Sequence, residues 1–357
     1  MNIFLVYGVL VFIIASCLGS FFKVVIDRYS TDESFVFKRS HCIKCKQHLP
    51  WWQNIPILSY LLLGGKCFFC KTKLDISYFL SEFISATLAL ILFISAYSKK
   101  NSISEITLLM FFFMTIVLLS MFDLKHRTIP HLITYSAIIL IITSKFLLTG
   151  SLNNSLFNLG IAFLFMDILY FIATLIKRFE PDYNLISLPL LAWAVYYFFN
   201  DNIYFVAIFI ILYFCILNLK IHSNILISSW FILLFALLFL VYKIIFIDFA
   251  PEKLRLFFAG VGAIYLICEI IFYFFNSFLP SKEINESLKT VLGGGDITVF
   301  ALISVYLGFK GALLTLLIAS LLAIISHFTI GAHKRQIPFI PYLGLACFII
   351  ITFSNVY

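Results

Sequence analysis

The sequence predicts an all-α protein that crosses a membrane many times. Three observations support this fold class: 62% of the 357 residues are hydrophobic, only 12% are charged, and the mean hydropathy is +1.07. A soluble domain carries roughly twice that charged fraction. Apolar runs near the ~20 residues that a bilayer core requires recur along the chain. Each run must be helical, because lipid offers no partner to the backbone and the alternating pattern of a barrel is absent.

About twelve transmembrane helices are predicted. The first covers residues 3–26, and we interpret it as a span rather than a signal peptide because no basic segment precedes it and many further spans follow. The others are expected at about 78–97, 104–122, 129–149, 156–176, 185–199, 203–219, 223–247, 256–279, 297–309, 311–328 and 337–356.

The net charge of +8 is informative through its location. Basic residues concentrate between the first two spans: Arg28, Lys38, Arg39, Lys44, Lys46, Lys66, Lys71 and Lys73. This bias predicts that the loop is cytoplasmic and, by alternate threading, that both termini lie outside. A basic face that binds acidic lipid is compatible with the same bias. The lipid bilayer is therefore a predicted partner, whereas nothing predicts a nucleic-acid partner or an oligomeric state.

The loop over residues 27–77 contains four cysteines in the spacing of a metal site. They form C-x2-C, 21 residues and C-x2-C, at Cys42, Cys45, Cys67 and Cys70. Two such turns predict a closed tetrahedral zinc site with a structural role. Disulfides are the alternative, which a reducing cytoplasm disfavours. Iron fits four sulfur ligands as well as zinc does.

Five carboxylates fall within predicted spans or at their ends, and each is a functional candidate because a charge in a membrane is costly. They are Glu82, Asp123, Asp167, Glu269 and Asp296. Only Asp123 and Asp296 are expected at the cytoplasmic ends of their spans. Two facing carboxylates share a proton, so one activates water while the other protonates the scissile group, as in aspartic proteases. The alternative for Asp296 is an N-cap at a glycine-rich junction.

Five segments together resemble the type IV prepilin peptidases, which are bifunctional leader peptidases and N-methyltransferases of bacterial inner membranes. They are GSFFKVVIDR (19–28), the cysteine-containing stretch 40–82, FDLKHRTIP (122–130), GGGDI (293–297) and IPFIPYLGLA (337–346). Their order and context match the family as well as their residues. Two positions depart from its pattern: Lys23 stands where relatives have asparagine, and Thr298 where they have lysine.

The resemblance implies that Asp123 and Asp296 are the catalytic pair of a GxGD-type intramembrane aspartyl protease. Gly293, Gly294 and Gly295 would then form the active-site backbone. The implied substrate is a type IV prepilin or pseudopilin, cut after a glycine at the cytoplasmic face of the inner membrane. The 27–77 domain would serve methyl transfer from S-adenosylmethionine to the new amino terminus, and residues 78–357 would form the protease domain. The contacts to S-adenosylmethionine are not predicted.

A tandem duplication of a four-helix unit, about 104–199 and 203–328, would explain spans beyond the family's usual number. FDLKHRTIPHLIT (122–134) aligns with LNLKIHSNILIS (217–228), which sets Asp123 against Asn218. Convergence of apolar helices is the alternative. Two other functions also stay open: a catalytically inactive scaffold that binds pilin helices, and a transporter that uses Asp167 and Glu269.

Overall fold

The computed structural model describes residues 3–29, 40–42, 44–177, parts of 252–270, 294–330 and 337–353. The predicted spans at 185–199, 203–219 and 223–247, together with Gly293 and Glu269, lie outside the described residues, as does the side chain of Asp167. Of the second copy in the proposed duplication, 203–328, the described residues include 294–328 and parts of 252–270. These predictions are therefore not tested.

The described residues form helices joined by loops, with two isolated β-bridges. The helices are α1 (Ile3–Arg28), a 3-10 turn (Trp51–Asn54), α2 (Leu58–Leu62), α3 (Ile76–Ser98), α4 (Ile103–His126), α5 (His131–Thr149), α6 (Asn153–Lys177), α7 (Gly294–Ile330) and α8 (Ile340–Phe353). A short apolar helix also runs over Phe258–Ile267.

Five of these helices are long and apolar enough to cross a membrane: Ile3–Arg28, Ile76–Ser98, Ile103–His126, His131–Thr149 and Gly294–Thr329. The all-helical membrane class is thus confirmed, and the number of twelve spans stays a prediction.

Local sequence signals set the helix ends. Asp75 caps α3 by accepting a hydrogen bond from the Ser77 amide at 2.8 Å. Ser102 and Glu105 form a reciprocal capping box at the start of α4. At the other end of α4, Arg127 adopts a left-handed conformation with φ 54° and donates its amide to the Asp123 carbonyl. The chain therefore turns immediately after the last helical residue, His126.

The chain divides into two compact units. The first comprises Met1–Ile129 and Leu313–Tyr357. Within it, α1 and α3 approach so closely at Gly19 that an added Cβ would lie 2.6 Å from the Ser81 carbonyl oxygen. Large apolar side chains of α4, including Phe112 and Phe122, are fully buried. A small residue at the crossing thus lets two spans pack backbone to backbone.

The second unit comprises Pro130–Ala312. Its part of α7 contains a break at Gly308, where φ is 79° and ψ is 161°. The Lys145 ammonium donates to the carbonyls of Val305 at 3.0 Å and Tyr306 at 2.7 Å, before the break. The Asn158 side chain accepts the Phe309 amide at 3.3 Å, after it. These contacts satisfy backbone groups that the break releases, and the position agrees with the predicted boundary between spans 297–309 and 311–328.

Candidate functional site

The four cysteines of the loop converge. Their sulfur atoms all lie within 4.8 Å of one another, and all four thiols are free. The Sγ atoms of Cys42 and Cys70 are 3.8 Å apart, far beyond the ~2.05 Å of a disulfide. A tetrahedron with Zn–S bonds of about 2.3 Å has sulfur–sulfur edges of about 3.8 Å. The arrangement therefore fits a four-thiolate metal site better than a pair of disulfides.

The two C-x2-C turns have the same backbone design. The Lys46 amide donates to the Cys42 carbonyl at 2.8 Å, and the Lys71 amide donates to the Cys67 carbonyl at 3.0 Å. Lys46 and Lys71 both adopt positive φ, 58° and 55°. Each turn is closed by one antiparallel bridge, His41 to His48 and Lys66 to Lys73. This repetition brings two equivalent thiol pairs to one point.

The pKa values of the cysteine thiols are shifted in opposite directions. Hydrogen bonds from the side chain and amide of Thr72 lower the pKa of Cys70 to about 6. A hydrogen bond from Gln47 also lowers the pKa of Cys45, but burial and the other three thiols outweigh it and raise that pKa to about 11. Since a metal binds the thiolate, coordination by all four cysteines would require each thiol to lose its proton.

Glu82 joins the loop to the transmembrane helices. Its carboxylate accepts a 2.6 Å hydrogen bond from the Ile57 amide and another from Ser20, and the residue is buried. Ile57 has φ 65° and ψ −55°, a costly conformation for a β-branched residue. Of the five acids singled out from the sequence, Glu82 thus has a visible role in holding the loop.

Asp123 lies in the last turn of α4 and is buried, with 8% of its surface exposed. Its Oδ2 atom accepts a 3.0 Å hydrogen bond from the Ile340 amide, at the first residue of α8. Ile340 belongs to the IPFIPYLGLA segment, one of the five that carry the family resemblance. The two residues are 217 positions apart in the sequence, so no local sequence pattern could predict this contact.

Asp296 is the third residue of α7 and is half-buried. An N-cap would be the residue before the helix, so the position does not match the alternative interpretation as a cap. Thr298, which departs from the family pattern, is buried and donates its hydroxyl to the Gly295 carbonyl at 3.0 Å. Asp123 belongs to the first compact unit and Asp296 to the second. Their pairing stays a prediction.

A polar cluster that the sequence did not predict surrounds Asp27. Its Oδ1 accepts from Lys23 at 2.8 Å and from Lys125 at 2.7 Å, and its Oδ2 accepts from the Tyr78 hydroxyl at 2.8 Å. Lys23, the other departure from the family pattern, is therefore paired within its own helix. The i,i+4 spacing of Lys23 and Asp27 was the one available signal.

Comparisons with known proteins confirm the predicted resemblance to type IV prepilin peptidases. The family described as "Bacterial Peptidase A24 N-terminal domain" matches residues 13–96. A "Prepilin leader peptidase/N-methyltransferase" of Myxococcus xanthus is 32% identical over 124 residues, which cover 35% of this chain and 36% of that protein. A protein of the same description from Vibrio cholerae is 35% identical over 144 residues, covering 36% and 53%.

Another such protein, from Neisseria gonorrhoeae, is 49% identical over 61 residues, covering 16% of this chain and 21% of that protein. No solved structure matches. The matched regions thus span from about a fifth to about half of these relatives.

Proposed function

We propose that the chain is an inner-membrane leader peptidase that cleaves type IV prepilins or pseudopilins after a glycine and then N-methylates the new amino terminus with S-adenosylmethionine. Asp123 and Asp296 would form the catalytic dyad at the cytoplasmic membrane face. The proposal includes about twelve spans, both termini outside, and the division into residues 1–26, 27–77 and 78–357. The observation that supports it most is the buried Asp123 carboxylate, held by the Ile340 amide in a chain whose N-terminal part matches a peptidase domain.

The chemistry requires two carboxylates in different protonation states. The ionised one takes a proton from water, which attacks the scissile carbonyl, while the protonated one donates its proton to the carbonyl oxygen. When the tetrahedral intermediate collapses, the first carboxyl gives the proton from water to the leaving amine, and the hydroxyl of the intermediate returns a proton to the second. The Ile340 amide holds one oxygen of Asp123, so this side chain is restricted to one orientation before substrate arrives. Gly294 and Gly295, without side chains, would allow an extended peptide to approach Asp296 closely.

The four thiols would hold a structural zinc ion. With Cys42, Cys45, Cys67 and Cys70 as ligands, a tetrahedral ion has no open position for a substrate. The metal would therefore fix the shape of the 27–77 domain, in which methyl transfer is proposed, and take no part in proteolysis. The Glu82–Ile57 hydrogen bond would fix the position of that domain relative to α3.

Cleavage of a synthetic prepilin in proteoliposomes tests the proposal. Wild type, Asp123→Asn and Asp296→Asn are compared by mass spectrometry with S-adenosylmethionine present. Both variants should lose cleavage at least about a thousandfold, because neither half of the proton exchange works alone. Wild-type product should gain one methyl group. Glu105→Gln, in the capping box at the other end of α4, controls for the loss of a carboxylate.

Survival of cleavage in either aspartate variant would show that other acids act. An inactive wild type that still binds the prepilin would favour the scaffold function instead.

A further inference from the structure

We infer that Asp27 is a positioning residue for Asp123: it fixes the rotation of the last turn of α4 and thereby the direction of the proposed catalytic carboxylate. This inference rests on the proposed function. Among the described residues, the hydrogen-bond partners of Asp27 are Lys23, Tyr78 and Lys125, and Asp123 is not one of them. Asp27 would act through Lys125, two residues further along α4.

Asp27 connects three helices through short hydrogen bonds. From its position at the end of α1 it accepts from Lys23 of the same helix, from Tyr78 of α3 and from Lys125 of α4, at 2.7 to 2.8 Å. The contacts of Asp27 with Lys23 and Tyr78 are partly shielded from water. Lys125 is 41% exposed and Asp27 20%, so the Asp27–Lys125 pair is partly open to solvent and its importance lies in the direction it gives to α4 more than in its strength. A single carboxylate therefore ties α4 to the α1–α3 pair.

The last turn of α4 needs such ties. Final turns of helices fray because their carbonyls lack partners, and α4 ends at His126, three residues after Asp123. A second bond supports the same place: the His126 Nε2 atom lies 2.8 Å from the Ile26 carbonyl oxygen, adjacent to Asp27. Two consecutive residues of α4 are thus bonded to two consecutive residues of α1.

The contacts hold α4 on opposite sides. Residues two apart on a helix point about 200° from each other. Accordingly, Lys125 reaches α1 while Asp123 reaches the start of α8. Without the Asp27 contact, the His126–Ile26 bond alone would hold this helix end to α1, which would leave it more freedom to rotate. With side-chain tips about 6 Å from the axis, a rotation of about 20° would move the Asp123 carboxylate by about 2 Å, more than catalysis tolerates.

Asp27→Asn tests the inference, because it keeps the shape and one acceptor but removes the charge that both lysines face. We expect kcat for prepilin cleavage to fall about 10- to 100-fold with KM changed less than about twofold. Lys125→Met should fall similarly, and the double variant should be no worse than either single one, because all three remove the same tie. Lys125→Arg should keep at least about half of the wild-type kcat.

Asp75→Asn is the matched control. It removes a nearby exposed carboxylate that caps α3 and contacts Ser77, so kcat should stay within about twofold of wild type. All rates are measured well below the melting temperature of each variant and per mole of folded protein, which removes simple loss of stability from the comparison.

A second readout does not depend on activity. Hydrogen–deuterium exchange of the amides of residues 122–127 should rise at least about tenfold in Asp27→Asn and not in Asp75→Asn. Unchanged exchange together with unchanged kcat would overturn the inference, and so would a rise in KM alone, which would make Asp27 a substrate contact. If wild type does not cleave, the proposed function fails and the catalytic part of the inference with it, while exchange still decides whether Asp27 fixes the helix end.

Discussion

The tetracysteine loop and the helix bundle of the first unit are stabilised in different ways. Among the described residues from 40 to 75, only Cys42, Gln53 and Cys67 are buried, whereas Trp51 and Leu62 are more than 70% exposed. In α4 alone, ten residues are buried, most of them large and apolar. Segments of fewer than about 40 residues rarely fold without a metal or cross-link. The loop should therefore depend on its thiol cluster, and the bundle should not.

The strongest way to test this difference is to remove the metal. Cys42→Ser takes away one buried ligand, and structural zinc contributes about 10 kcal/mol or more to the folding of small sites. Metal content, measured by elemental mass spectrometry, should fall from about one ion per chain to near zero. Limited proteolysis should then cut within residues 40–75, while the amides of α4 stay protected.

Cys17→Ser is the matched control, since Cys17 is a lone thiol of α1 and its loss should leave metal content unchanged. Equal metal in Cys42→Ser and wild type would mean that the cluster is not the metal site. Loss of protection throughout α4 would mean that the two regions fold as one.

Glu82 is the point at which the two regions are joined. Glu82→Leu removes the acceptor of the Ile57 amide, and a lost hydrogen bond to a charged group costs about 1.5 to 3 kcal/mol. We expect faster proteolysis of residues 51–63 with metal still bound. Glu82→Gln keeps an acceptor and should show a smaller effect; equal proteolysis of the two variants and wild type would contradict a role for this bond.

The α1–α3 crossing supports both regions because the loop leaves α1 and returns at α3. At Gly19 an added Cβ would collide with the Ser81 carbonyl, whereas at Gly8 it would make ordinary contacts at 3.6 Å or more. Gly19→Ala should lower the free energy of unfolding by about 1 to 3 kcal/mol. Gly8→Ala should be neutral or stabilising by up to about 1 kcal/mol. Unfolding in mixed detergent measures both, and equal values would show that the crossing can open without cost.

The smallest effect concerns the cap of α3. The Ser77 amide donates to Asp75 and lowers the pKa of that carboxyl. A lowered folded-state pKa contributes stability above the unfolded value of about 3.9, and this contribution is lost as pH falls through the folded value. Wild type should therefore lose stability relative to Asp75→Asn below about pH 4. Thermal melting at pH 3 and pH 6 checks this, and a constant difference between the two proteins would contradict it.

Short-range patterns in the sequence predicted the parts of the molecule that depend on short-range physics. The predicted ends of the spans at 78–97 and 129–149 lie within two residues of the ends of α3 and α5. An apolar run of bilayer length between polar residues has few conformations open to it other than a helix. The thiol cluster could be predicted because a C-x2-C turn places two thiols side by side within four residues. The break at Gly308 lies within two residues of the predicted boundary between spans 297–309 and 311–328, and the division into two spans stays a prediction.

Contacts between distant helices could not be predicted. Asp27 with Lys125, Glu82 with Ile57, and Asp123 with Ile340 each depend on which helix faces align, and hydrophobic periodicity is weak in helices that are apolar all round. The one indication in the sequence was that isolated polar residues near helix ends need hydrogen-bond partners, without showing which residues those partners are. The sequence made Asp123 a catalytic candidate but carried no sign of the amide that its side chain binds.

The break at Gly308 also has a consequence for bilayer thickness. From Asp296 to Gly308, α7 rises only about 18 Å at 1.5 Å per residue, against a hydrocarbon core of about 30 Å. This part of α7 is therefore about 12 Å shorter than the core, a mismatch that a thinner bilayer would reduce. Under the proposed function, cleavage rates should accordingly rise in lipids with shorter acyl chains, which makes membrane composition a control on turnover.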